Sequence, residues 1–128
     1  MSQQSSEGVV IRLQGLRVTT SIGILAHEVQ QRQEIVIHMT VRCAPRPEGT
    51  LIDGLEVVLD YRLLRDIGID ECTNGHINML ETLVARIADR VMALPRTLSC
   101  EVEVVKPHVF EDADGVSVAL TRRRESHT

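Results

Sequence analysis

Apolar and polar residues alternate from Val9 through Ile11 and Leu13, and the alternation resumes beyond Gly15 at Leu16 and Val18. A period of two sends successive side chains to opposite faces of a pleated strand, so Val9 to Thr20 is predicted to be one long strand bent at the glycine. Ser21 to Gln33 interrupts the pattern and reads as a connection. Glu34 to Cys43 restores it, with Ile35, Ile37, Met39 and Val41 on one side and many β-branched residues. These two strands are expected to form a hairpin.

Pro45, Pro47, Gly49 and Gly54 mark Ala44 to Gly54 as a loop, and Leu55 to Leu59 as a short strand or an extended lead-in. From there the period changes. Tyr61, Leu64, Ile67 and Cys72 recur at helical spacing behind Asp60, the expected N-cap, while Gly68 weakens this helix. Thr73-Asn74-Gly75 follows as a turn. A second helix is clearer: Leu80, Leu83, Val84, Ile87, Ala88, Val91 and Met92 form one stripe, with Asn78 as the expected N-cap and Pro95 closing it. Ser99 to Lys106 and Val116 to Arg122 alternate again, joined by the acidic turn Glu111 to Gly115.

The order strand, strand, helix, helix, strand, strand predicts an α+β domain: a four-stranded antiparallel sheet with two helices on one face. Such a sheet leaves two edges and a face uncovered, which association between copies commonly resolves. The chain of 128 residues suits one domain, expected over 9–124 between a polar leader (1–8) and a short tail (125–128).

Composition removes several function classes. One Phe, one Tyr and no Trp leave no aromatic platform for single-stranded nucleic acid, and a net charge of −4 disfavours a duplex. No segment approaches the length of a membrane span, and the polar Met1 to Glu7 start lacks a signal-peptide pattern, so a cytoplasmic location is expected. Cys43, Cys72 and Cys100 are widely spaced and read as reduced thiols. The five histidines form no pair at zinc-ligand spacing, and no phosphate-loop glycine motif is present, so neither metal nor nucleotide cofactor is expected.

Lys106 is the one lysine among fourteen basic residues, and it ends an apolar run, Val102 to Lys106, before Pro107. A lysine amine, unlike a guanidinium, can serve as a base when its surroundings favour neutrality. Taken alone, it is better explained by chance survival in an arginine-rich chain.

Four segments change that balance. Ile22-Gly23-Ile24-Leu25-Ala26-His27-Glu28, Asp60-Tyr61, Met79-Leu80-Glu81-Thr82-Leu83 and Val105-Lys106-Pro107, in this order, resemble the dihydroneopterin aldolase family of folate biosynthesis, from about Val9 to Arg124. Arg32 to Ile37 and Leu59 to Arg62 also resemble its relative, dihydroneopterin triphosphate 2'-epimerase. The resemblance implies the tunnelling fold, in which sheets from several copies join into a barrel of four or eight chains with pterin sites at subunit boundaries.

By the same resemblance Lys106 is the general acid/base, acting through a water, and Tyr61 is a proton-relay group lying against a neighbouring subunit's pocket. Glu81 accepts the pterin's paired N–H donors, Leu80 contributes its backbone, and Glu28 orients the substrate's side-chain hydroxyls. Each has an ordinary reading beside it. Glu81, three residues after Asn78, fits a capping box. Leu80 fits core packing, and Glu28, Tyr61 and Lys106 fit solvent-exposed positions. The implied activity is retro-aldol cleavage of 7,8-dihydroneopterin, with 2'-epimerisation at the same site. The rivals are an epimerase of the triphosphate, for which Arg32 and Arg62 are candidate phosphate-holding cations, and a non-catalytic pterin-binding scaffold.

Overall fold

A computed structural model describes residues 8–45 and 59–125. The expectations for the leader, for most of the Ala44 to Gly54 loop, for the Leu55 segment and for the end of the tail lie outside the described residues. Elements follow in the order β1 (Val9–Thr20), α1 (Ala26–Gln30), β2 (Gln33–Cys43), α2 (Arg62–Thr73), α3 (Leu80–Met92), β3 (Thr97–Lys106) and β4 (Val116–Arg123). All four strands lie in one antiparallel sheet in chain order, β1-β2-β3-β4.

The alternation read from the sequence becomes the two faces of this sheet. Ile35, Ile37, Met39, Val41 and Cys43 of β2, with Cys100, Val102 and Val104 of β3, are buried on one face. The helices supply the facing layer through Leu64, Ile67 and Cys72 of α2 and the Leu80 to Val91 stripe of α3. Each such aliphatic side chain contributes about 1.5–3 kcal/mol on full burial. The opposite face carries Arg12, Arg42, Glu101 and Thr121, and is open to solvent.

β1 bends where expected. Its register with β2 shifts between Leu13 and Leu16, and Gly15 sits there at φ +73°. The Gly15 N–H leaves the ladder and donates to His38 Nδ1 on the open face at 3.0 Å. Gly68 does not break α2. It faces the sheet, where a Cβ would lie 3.0 Å from Leu16 Cδ2, so the missing side chain allows close packing.

Three sequence expectations are corrected. The connection after β1 contains a short helix, α1, too brief for a periodic stripe to reveal. Tyr61 leaves the buried stripe of α2 and is 69% exposed, because it occupies the N-cap rather than a helical turn. Asp60, one residue earlier, still supplies a capping function, since its Oδ1 accepts the Arg62 N–H at 3.0 Å. Finally, α3 begins at Leu80 behind Met79, so Asn78 lies one position too early to cap it.

Candidate active site

The sheet brings distant polar groups to one end. β1 ends beside the start of β2 (Thr20 opposite Gln33), and β2 starts beside the end of β3 (Val36 opposite Val105). Lys106 is therefore delivered to the edge of the loop that follows β1. Its Nζ donates to Glu28 Oε2 at 2.7 Å across 78 residues of sequence, and each of the two side chains is only 14% exposed. Pro107 follows, a residue with no N–H to continue a strand ladder.

Glu28 is held from several sides. Its Oε1 accepts the backbone N–H of Leu25 at 3.2 Å, while Oε2 also accepts from Gln33 Nε2 at 3.3 Å. The same Gln33 amide donates to the Ile22 carbonyl at 2.8 Å, which ties the carboxylate to the loop floor. Gly23 makes room for it, with φ +126° and a site where a Cβ would meet Glu28 Cδ at 2.3 Å. The Lys106 hydrogen bond, helped by Leu25 and Gln33 and opposed by burial, holds the Glu28 carboxyl at about 2 against an ordinary 4.5. Glu28 is thus an anion at neutral pH, able only to accept hydrogen bonds.

A clasp joins this loop to the start of α3. The Ile77 N–H donates to Ser21 O at 2.9 Å and the Gly23 N–H donates to Ile77 O at 2.8 Å. His76 reinforces the bridge: a carbonyl can only accept, so Nε2–H donates to Gly23 O at 2.7 Å, leaving Nδ1 to accept the Ser21 hydroxyl. Three residues beyond Ile77, α3 begins with Leu80 and Glu81. Leu80 is buried in the core, and Glu81 is exposed in the first turn with no hydrogen-bond partner among the described residues. The capping-box reading of Glu81 is therefore corrected. Its carboxylate is left available to a ligand, beside a helix N-terminus whose dipole favours negative charge.

Tyr61 is placed elsewhere. The C-terminal end of α2 lies at this same end of the molecule, because Thr20 Oγ1 donates to the Cys72 carbonyl. Tyr61 caps the other end of α2, about 16 Å away at 1.5 Å per residue. One chain gathers Glu28, Lys106, Leu80 and Glu81 at one end and sets Tyr61 at the other. Arg62, beside Tyr61, is neutralised by both carboxylate oxygens of Asp60, the closest contact being 2.8 Å. The sequence offered no sign of the bracing roles of Gln33 and His76, since their partners lie 5 to 55 residues away and share no periodic pattern. The environment expected for Lys106, an apolar strand end, is corrected as well: its nearest charge is a carboxylate. Among the described residues no three His, Cys, Asp or Glu gather as a metal site, and no helix is long and apolar enough to cross a membrane.

The family model described as dihydroneopterin aldolase (FolB) matches residues 11–121. The chain belongs to the dihydroneopterin aldolase family. Within it, the chain is 32% identical to a dihydroneopterin triphosphate 2'-epimerase of Pseudomonas aeruginosa, over 89% of this chain and 92% of that protein. The corresponding Escherichia coli K12 epimerase is 31% identical, over 90% and 95%. Among solved structures, a dihydroneopterin aldolase of Burkholderia bound to guanine superimposes with a TM-score of 0.81 at 24% identity, covering 97% of this chain and 98% of that one. An E. coli dihydroneopterin aldolase in complex with neopterin gives 0.80 at 18% identity, covering 89% and 98%. The four-stranded sheet with its helices is thus the tunnelling fold of this family. The four motifs that carry the resemblance all lie on the matched span or on elements bordering it.

Proposed function

We propose that this family member cleaves 7,8-dihydroneopterin by a retro-aldol reaction at a site built around Lys106 and Glu28. The observation that carries the reading is their ion pair, which joins two of the four motifs across the fold at 2.7 Å. Lys106 reacts as the free amine, formed when the resting ion pair gives one ammonium proton to solvent: one N–H still donates to Glu28 while the lone pair takes the proton of the substrate's 2'-hydroxyl through a water. The bond between C1' and C2' then breaks, glycolaldehyde leaves with C2', and the electron pair moves into the C6=N5 bond of the dihydropterin. Protonation at C1' gives 6-hydroxymethyl-7,8-dihydropterin. Because the pterin ring accepts the electrons, the reaction needs neither a Schiff base on Lys106 nor a metal ion.

The remaining residues position the substrate. Glu81 receives the ring amide and amino N–H groups as a paired contact, and the Leu80 peptide lies beside it. Glu28 accepts from the side-chain hydroxyls while holding Lys106 in place. Tyr61 relays the proton from a second copy of the chain, since α2 places it at the far end of its own subunit. The edges of β1 and β4, unpaired among the described residues, support a ring of four chains or two stacked rings, and the three buried free cysteines fit a reducing, cytoplasmic setting.

A second reading has its own support. The Pseudomonas aeruginosa and Escherichia coli K12 relatives, at 31–32% identity, are both triphosphate 2'-epimerases. Re-addition of glycolaldehyde to the opposite face before release yields the 2'-epimer, so the same groups serve both outcomes. Incubation with dihydroneopterin and with its triphosphate, following glycolaldehyde and 2'-epimer, separates the two. Turnover of neither would leave only the pterin-binding scaffold. Lys106→Ala should lower kcat by about 100-fold or more, the usual scale of general acid/base catalysis, and Glu81→Ala should act mainly on KM.

A further inference from the structure

Between α1, the turn into β2 and the His76 segment lies a cavity of about 300 Å³, at the small end of the range for ligand sites. Gln30, Gln31, Arg32, Ser21, Thr73 and His76 supply its polar lining. No Asp or Glu lines it, although the chain carries 18 acidic residues against 14 basic ones. The one fixed charge on its wall is the Arg32 guanidinium, which has no carboxylate partner among the described residues.

The donors that remain free there are also few and specific. Ser21 and Thr73 direct their hydroxyls to His76 and to the Ile69 carbonyl, and His76 Nε2–H is engaged by Gly23. Among the described residues, Arg32 and the amides of Gln30 and Gln31 are left. The cavity adjoins the proposed reaction centre: its α1 side continues directly from Glu28, and its His76 side is bonded to Gly23, on which the Glu28 carboxyl rests. Glu28 does not repel an anion placed here, because Lys106 balances its charge at 2.7 Å. Arg62 lacks these properties, being held by Asp60 at the far end of the subunit.

We propose that this cavity is a subsite for the phosphate groups of a phosphorylated pterin, and that Arg32 sets the preference for phosphorylated over unphosphorylated substrate. A guanidinium presents paired N–H donors that match two phosphate oxygens, and the carboxylate-free wall keeps the local potential positive. The assignment rests on the reading of Lys106 and Glu28 as the reaction centre.

The test compares kcat/KM for dihydroneopterin triphosphate and for dihydroneopterin in the wild type, Arg32→Ala and Arg32→Lys. The ratio of the two should fall by about tenfold or more in Arg32→Ala, the loss of one charge-assisted contact, and by less in Arg32→Lys, which keeps charge without the fork. An unchanged ratio in Arg32→Ala overturns the proposal. If the wild type turns over neither pterin, the catalytic reading fails by itself, and calorimetric titration with inorganic triphosphate then decides the cavity. Binding that weakens about tenfold in Arg32→Ala supports the subsite. Absent binding, or equal binding by both proteins, overturns it.

Discussion

Replacing Lys106 by Met keeps the aliphatic stem and removes the ammonium, so it isolates what the ion pair does for the fold as well as for the chemistry. In the intact protein the Glu28 carboxyl is held at about 2, against 4.5 ordinarily. At about 1.4 kcal/mol per tenfold change in proton affinity, that difference corresponds to about 3 kcal/mol of stability at neutral pH. Solvent reaches the edge of the pair, each side chain being 14% exposed, and Leu25 and Gln33 still hold the carboxylate in the variant. The expected loss is therefore about 2 kcal/mol at pH 7. The sign of the pH dependence is set by the direction of the shift. A depressed carboxyl contributes fully above its unfolded value of 4.5 and loses its contribution as pH falls toward 2. Urea unfolding at fixed protein concentration, from pH 7 down to pH 3, should show wild type and Lys106→Met converging only below about pH 4.5, with about 40% of the gap gone by about pH 3. A gap that stays constant over this range, or that widens on acidification, would refute the ion pair as the source of the stability.

Two further outcomes follow from contacts at atomic distance. Gly23→Ala should destabilise by about 2–3 kcal/mol and expel the Glu28 side chain, because φ is +126° and the new Cβ would lie 2.3 Å from Glu28 Cδ; thermal melts and the aldolase assay read both effects together. Thr97→Val should be neutral or stabilising by up to about 1 kcal/mol, because Thr97 Oγ1 is buried without a hydrogen-bond partner and valine has the same shape. A marked loss in a urea melt of that variant would mean the hydroxyl has a partner.

Local pattern carried much of the architecture. Strand β1 was legible to the residue, β2, β3 and β4 to within two residues, and the α3 stripe matched its buried face. Alternation at period two and recurrence at 3.6 are properties of neighbouring residues, so a linear reading reaches them. The misplaced helix starts have a different cause. Asn78 and Met79 compete for the same cap, and the choice falls to the Ile22–Ile77 bridge, which fixes where the chain leaves the sheet loop and turns into α3. The five-residue α1 leaves no periodic stripe because it is shorter than two turns, and its N-terminal end is capped by a Glu28–Leu25 bond that no periodicity encodes.

For the site, the sequence by itself determined which residues were worth suspecting: a solitary lysine at a strand end and carboxylates and a tyrosine in motifs of one family. Tertiary structure decided who meets whom. Antiparallel pairing carried Lys106 to Glu28, turning two residues 78 positions apart into a mutually neutralising pair. The length of α2 carried Tyr61 to the opposite end of the subunit, away from Lys106. Spacing along a chain cannot express either outcome, because strand register and helix direction convert sequence separation into distance only after the sheet has formed.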